Sequence, residues 1–361
     1  MLRLINVSMA LLLAGVTILI YSKSLILVNS PPSNQTEWEN LLWRPRIDAR
    51  TPSKTANRKF HVALTASDSA YSRWQSRIAY YTYNKVKDMP ESDMGEFTRI
   101  LHAGKADNLM TEIPTFVVDK LPDDGDRKYA PLNRPWAFVQ WLDLVSIEEE
   151  YILMIEPDHA FVKPIPNLAL GDIPVAYKFF YMEPREEEAV LRRYYPAENG
   201  PITDIYPIGS SPVIINKHLL KRLASTWMTL TMRMKDDPEC DSRLGWILDM
   251  CAYGTAAALH GVRHIIASDL MVQPPNDTMM GNAYIIHYSF GMEYSSQGKL
   301  MEAGSYGDWR FDKRTYMKRA PPKNLFMPPK GAPETVVSLI KIINEASRTL
   351  PLWNQIAART S

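Results

Sequence analysis

The stretch YILMIEPDHAFVKP, residues 151–164, decides how this chain reads. Five largely apolar residues, Tyr151 to Ile155, run without a break into Glu156, Pro157, Asp158 and His159. A short continuous apolar run is the pattern of a strand buried on both faces. Pro157 cannot donate a ladder hydrogen bond, so it marks the strand's end. Two carboxylates then stand at a strand's carboxyl end, where open α/β sheets bind ligands. Glu156 and Asp158 are two apart and, in extended geometry, point to the same side. Like charges side by side are costly near a core. A hard divalent cation removes that cost, and Mg2+ or Mn2+ leaves positions free for phosphate oxygens. The pair reads as a metal site for a nucleoside diphosphate. The plainer alternative is a solvated loop tip whose carboxylates cap the next turn. His159 would point to the opposite side of such an extended segment, in a structural or supporting position.

The same strand-and-helix alternation extends on both sides. FHVALTASD, from Phe60, is an apolar run ending in small polar residues, and AYSRWQSRIAYYTYNKVK follows with Trp74, Ile78 and Tyr81 on one helical face. FTRILHAG and TFVVD are further strands. RPWAFVQWLDLV reads as a helix with Pro135 at its start, where a missing N–H costs nothing. VAYKFFYM and PVIINKHLLKRL continue the pattern. LGWILDMCAYGTAAALHG reads as one helix ending at Gly261, AYIIHYSF as a late strand, and PETVVSLIKIINEAS as an amphipathic C-terminal helix. Alternation of this kind predicts an α/β fold with a mostly parallel central sheet flanked by helices.

The chain is 46% hydrophobic and 22% charged, which excludes general disorder. A net charge of +1 without a basic, aromatic-interleaved stripe argues against a nucleic-acid partner. Leu4 to Ile20 carries no charge, and a second apolar patch runs from Leu25 to Val28. With its flanks this reaches spanning length. It reads as a transmembrane signal anchor over 4–28 after a short cytoplasmic tail, 1–3, with a stalk over 29–59 and a lumenal body over 60–361. A cleaved signal peptide and a buried N-terminal helix are the alternatives; no clear cleavage site precedes a polar start. Asn34-Gln35-Thr36 and Asn276-Asp277-Thr278 are glycosylation sequons. Cys240 and Cys251 could pair in an oxidising lumen or remain buried thiols.

Other residues are candidates for the same chemistry. His287 ends the apolar run YIIHYSF and is a possible further metal ligand, since imidazole suits Mn2+ better than Mg2+; a satisfied core histidine is the alternative. Thr65, Ser67 and Asp68 lie at the end of the first strand, where they could hold a base or ribose or simply cap a helix. Arg99, Asn133 and Arg134 are candidates to neutralise a leaving diphosphate. Asp249 either faces the site, as a candidate general base, or forms the polar edge of its helix. GxSxG, HExxH, Walker A and GxGxxG are all absent, so hydrolase, protease and NTPase readings lack support.

Several long blocks resemble the plant and algal hydroxyproline O-arabinosyltransferases: LNRPWAFVQWL, EPDHAFVKPIPNLA, GSSPVIINK, HGVRHI, QPP, IIHYSFG, GDWRFDKR and PPKGAPETVVSLIKIINEA. The likeness runs from about His61 to Trp353. It implies a GT-A-like glycosyltransferase, with EPD in place of the commoner DxD, in a single-pass type II Golgi membrane protein. The implied donor is UDP-β-L-arabinofuranose. The implied acceptor is the 4-hydroxyl of hydroxyproline in secreted, extensin-like proteins and peptides. Glu156 and Asp158 take the motif positions and His287 the C-terminal histidine. Catalysis would rest on Asp158, with Asp249 as base if configuration inverts; same-face attack with retention needs no strong protein base. Tyr288 and Ser210–Ser211 are candidates to line the acceptor groove. The competing readings are a related transferase, such as one adding galactose to serine, and an inactive UDP-sugar-binding membrane protein.

Overall fold

The computed structural model describes residues 58–121, 129–302 and 305–355 of the chain. Strands β1 (Phe60–Ala66) and β4 (Tyr151–Ile155) are buried along their whole length. Outside β1 lie β2 (Met94–Leu101) and β3 (Thr115–Val117), and all four run parallel. On the far side of β4 lie β7 (Ile208–Asn216), β6 (Val175–Lys178) and β8 (Ile265–Ile266). The seven-stranded order is β3-β2-β1-β4-β7-β6-β8, and β7 alone runs against its neighbours. This is the mostly parallel α/β sheet expected.

Helix α1 (Ala70–Val86) begins after Ser69, whose hydroxyl accepts the Ser72 N–H and so caps a backbone donor that the first turn leaves unpaired. Helix α2 (Asn133–Leu144) carries Pro135 in its first turn. After the single turn α3 (Glu188–Leu191) comes α4 (Lys217–Asp236), capped by Asn216 through the His218 and Leu219 N–H groups. The single helix expected up to Gly261 is in fact divided. Helix α5 (Pro238–Leu244) stops at Gly245, whose φ of +51° favours glycine. A 3-10 turn, Gly245–Ile247, then leads into α6 (Leu248–Leu259), and Gly261 at φ +66° lies just beyond its end. Helix α4 packs against both α2 and α6, and Phe138, Trp141 and Trp227 are buried in the main core. Cys240 and Cys251 are both buried free thiols.

Two smaller sheets complete the body. One holds β5 (His159–Phe161), β9 (Met271–Val272) and β10 (Ile285–His287) in the order β5-β10-β9. The other pairs β11 (Met292–Tyr294) with β12 (Trp309–Phe311). The C-terminal helix α7 (Glu334–Thr349) sets Leu339, Ile340 and Ile343 against Trp74 and Ile78 of α1 in a second core. These three side chains are fully buried, and each contributes about 1.5–3 kcal/mol. Ala79 and Tyr83 of α1 belong to the main core, so this helix joins both. Among the described residues no helix is long and apolar enough to cross a membrane. The expected anchor, and all of the expected stalk except Arg58 and Lys59, lie outside the described residues. Arg58 already belongs to the body, donating to the Asn167 and Ala169 carbonyls.

Candidate active site at the carboxyl end of β4

Strand β4 ends at Ile155, and the chain turns at once: the His159 N–H donates to the Glu156 carbonyl at 3.2 Å. It returns as β5, antiparallel to β10, with His159 directly opposite His287. Residues in such register share one face of the sheet, and the two rings meet at a centroid distance of 4.6 Å. This corrects the expected placement of His159. Alternation of side chains holds only along an extended chain, and the Pro157–Asp158 turn resets it. Glu156, His159 and His287 each offer a ligand atom, and these atoms lie within 4.8 Å of one another. His287 Nε2 is 3.2 Å from Asp158 Oδ2 and 3.5 Å from Glu156 Oε2. Both carboxylates and the late-strand histidine thus meet, as the sequence reading required.

Lys313 is a member of the site that sequence reasoning missed. It opens the 3-10 turn after β12, where Asp312 caps the Arg314 N–H, and its Nζ donates to Asp158 Oδ2. The Trp74 indole N–H, bonded to the Tyr316 carbonyl at 3.1 Å, fastens that turn to α1. GDWRFDKR contains Lys313, but nothing local to that block says which carboxylate it meets. Burial works to raise the Asp158 pKa; the Lys313 ammonium and then His287 outweigh it and hold the carboxyl well below the usual carboxylate range. For Lys313, burial is likewise outweighed by Asp158, and the ammonium is held more firmly than usual. Burial, and then His287, depress His159 well below an ordinary imidazole.

His159 is therefore neutral, fully buried, and without a hydrogen-bond partner at either ring nitrogen. His287 Nδ1 is unpartnered as well. Unpaired buried polar atoms are costly. Two imidazoles beside two carboxylates form a donor set that fits a divalent cation, and imidazole suits Mn2+ better than Mg2+.

Arg134, from the first turn of α2, closes the other side. Its Nη2 donates to Glu156, and its Nη1 donates to Asp249 Oδ2 at 2.9 Å and Ser210 Oγ at 3.2 Å. Asp249 faces the site through this guanidinium, and its other oxygen accepts the Trp227 indole N–H at 3.0 Å. It is 1% exposed. Burial pushes its carboxyl up to about 6, opposed by Arg134.

Other candidates lie elsewhere. Arg99 is wholly buried, its guanidinium forked onto Asp107 and its Nε bonded to Thr115 Oγ1 at 3.0 Å, so it is a structural ion pair and not a diphosphate ligand. Asp68 pairs with Arg73, Ser67 bonds Ser69, and Thr65 is buried within β1. This loop is spent on starting α1. Asn133 donates to the neighbouring Ala130 carbonyl at 3.4 Å. Tyr288 is fully buried and stacked on Trp74, with ring centroids 6.1 Å apart, and Ser210 and Ser211 are buried too, so they offer no acceptor groove. Asn276, in its sequon, is exposed.

Fold and site together define an α/β protein with an acid-imidazole cluster at a strand end, flanked by two cations. Residues 60–266 match the model of the hydroxyproline O-arabinosyltransferase family N-terminal domain, and residues 284–354 that of its C-terminal domain. Hydroxyproline O-arabinosyltransferase PLENTY of Lotus japonicus is 58% identical over 304 residues, covering 84% of each chain. Hydroxyproline O-arabinosyltransferase RDN2 of Medicago truncatula is 57% identical over 304 residues, again covering 84% of each. Among solved structures, galactosyltransferase LgtC with donor and acceptor sugar analogs matches with a TM-score of 0.40 and 14% identity, over 64% of this chain and 87% of that one. The chain belongs to the hydroxyproline O-arabinosyltransferase family, a family of glycosyltransferases.

Proposed function

We propose that the protein transfers L-arabinofuranose from UDP-β-L-arabinofuranose to the 4-hydroxyl of hydroxyproline in secreted proteins and peptides, on a GT-A-like fold. The observation that carries this reading is the meeting of Glu156, Asp158, His159 and His287 with Lys313 and Arg134 at the end of β4, in a chain of this family. Glu156, Asp158, His287 and, by its geometry, His159 would hold Mn2+ or Mg2+, which when bound supplies Lewis-acid stabilisation of a diphosphate. Arg134 and Lys313 set two positive charges at the same place. Arg134 Nε is buried and without a partner, leaving one N–H for a phosphoryl oxygen.

In the reaction the acceptor oxygen bonds to the anomeric carbon and the anomeric C–O bond to UDP breaks. The hydroxyl proton leaves with the diphosphate. Attack on the same face retains configuration and asks no base of the protein. That suits Asp249, whose carboxyl is enclosed behind Arg134: it orients the guanidinium. A screen of UDP-sugars against a hydroxyproline peptide, read by product mass, tests the reading. A pentose added from UDP-arabinofuranose supports it. Addition of another sugar, or UDP binding without turnover, would overturn it.

The proposal includes a type II Golgi membrane location, with residues 4–28 as anchor and the body in the lumen. Its support is the uncharged run and the exposed sequon at Asn276. Digestion of the body by protease in sealed microsomes, without detergent, would contradict it.

A further inference from the structure

A strip of aromatic rings, two of them within three residues of His287 and Asp249, plays no part in holding the acid-imidazole cluster. Phe180 and Tyr181 follow β6, Trp246 sits in the turn before α6, and Phe290 follows β10. Tyr181 meets Trp246 at a centroid distance of 4.8 Å, Phe180 meets Tyr181 at 5.0 Å, and Phe290 lies 6.4 Å from both Phe180 and Tyr181. Phe180 is 50% exposed and Trp246 53%. Large rings left in water on a folded surface, and gathered from three elements, mark a binding surface.

Position says what the strip serves. Phe290 stands three residues after His287, and Trp246 three before Asp249. The Tyr129 hydroxyl ties the two ends of that last segment, donating to the Trp246 carbonyl and accepting the Asp249 N–H, both at 3.0 Å. Burial raises the Tyr181 phenol well above its ordinary range, and the charges of Glu156 and then Asp158 add to the effect, which sets this ring within electrostatic reach of the carboxylates.

We propose that this strip is the acceptor-docking surface and that its occupant is a polyproline-II segment carrying the hydroxyproline to be modified. The inference rests on the arabinosyl-transfer reading above. A hydroxyl that reaches the cluster brings its flanking residues over the neighbouring rings. A chain of proline-type residues has φ already fixed, winds with three residues per turn, and exposes ring faces that seat between aromatic side chains. Docking such a chain loses little conformational entropy, so a shallow aromatic strip suffices where a flexible peptide would need a deep groove.

The test compares two acceptors on the full-length protein: a capped single hydroxyproline, and a peptide with a run of consecutive hydroxyprolines. Wild type should show a lower KM for the peptide. Phe180→Ala and Trp246→Ala should each raise the peptide KM about tenfold, toward the single-residue value, with a much smaller change in donor KM. Trp246→Phe should retain most of the peptide preference. An unchanged peptide KM in both folded alanine variants overturns the proposal. So does a donor KM that rises as much as the peptide KM. A change of oligomeric state on sedimentation with peptide KM intact would give the strip to a second copy of the chain instead. If wild type transfers arabinose to neither acceptor, the functional reading fails. Calorimetric titration of the peptide then decides the docking separately: binding lost in Phe180→Ala supports it, and no binding to wild type overturns it.

Discussion

Asp249→Asn keeps the shape of a buried side chain and removes its charge. In the folded protein burial pushes this carboxyl from 3.8 up to about 6, with Arg134 pulling the other way. One pKa unit corresponds to about 1.36 kcal/mol, so the shift amounts to roughly 3 kcal/mol. The folded state binds the proton more tightly than the unfolded chain. The associated stability is therefore complete below about pH 4 and is lost as pH rises through about 6. At neutral pH the wild type holds an ionised, enclosed carboxylate at that cost. Asparagine does not titrate. The unfolding free energy of Asp249→Asn minus that of wild type should grow by roughly 2.4 kcal/mol between pH 4 and pH 7, the rest of the effect lying below pH 4. Urea denaturation across that range, with EDTA present, measures it. A difference that stays flat with pH would refute the burial argument. Sugar transfer should fall in the same variant, because Arg134 loses one of the two carboxylates that aim it.

Asp158→Asn should abolish transfer and, by leaving Lys313 buried opposite a neutral group, cost about 3–5 kcal/mol. The double variant Asp158→Asn with Lys313→Met should recover most of that stability in urea denaturation and still transfer nothing; no recovery would break the pairing. His159→Phe fills the same space and removes two ring nitrogens that have no protein partner, so the metal-free protein should lose less than about 1.5 kcal/mol. Mn2+ binding followed by calorimetry should weaken at least about tenfold in that variant and in His287→Ala; an unshifted isotherm for His159→Phe would remove it from the ligand set.

Much of the sheet was legible because its signal is local. Runs such as FHVALTA and YILMI are apolar without alternation, and only strands covered on both faces carry that pattern. The helix start near Pro135 was legible for the same reason, since a proline acts within one turn, whereas the cap of α1 fell on Ser69 and not on the Ser67 or Asp68 read from the sequence. The short strand β5 was not legible. Three residues after a turn carry no period of their own, and without β5 the sequence alone turned His159 away from the site. The same local limit affected the arginines. Arg99 and Arg134 both precede or follow apolar runs, and only the packing shows that Asp107 claims the first while Glu156 and Asp249 claim the second.

The sequence by itself determined that β4 ends in two acidic groups, that the carboxyl edge of a parallel sheet would gather them, and that a late apolar run delivers His287. Each follows from the chemistry of neighbouring residues along one strand. The tertiary structure alone decided the company those groups keep. The register of β5 on β10 puts the two imidazoles face to edge, and the turn after β12 carries Lys313 across 155 positions to Asp158. A buried charge must find a counter-charge or a ligand, but which residue supplies it depends on how the chain crosses, and crossing leaves no periodic trace in the order of residues.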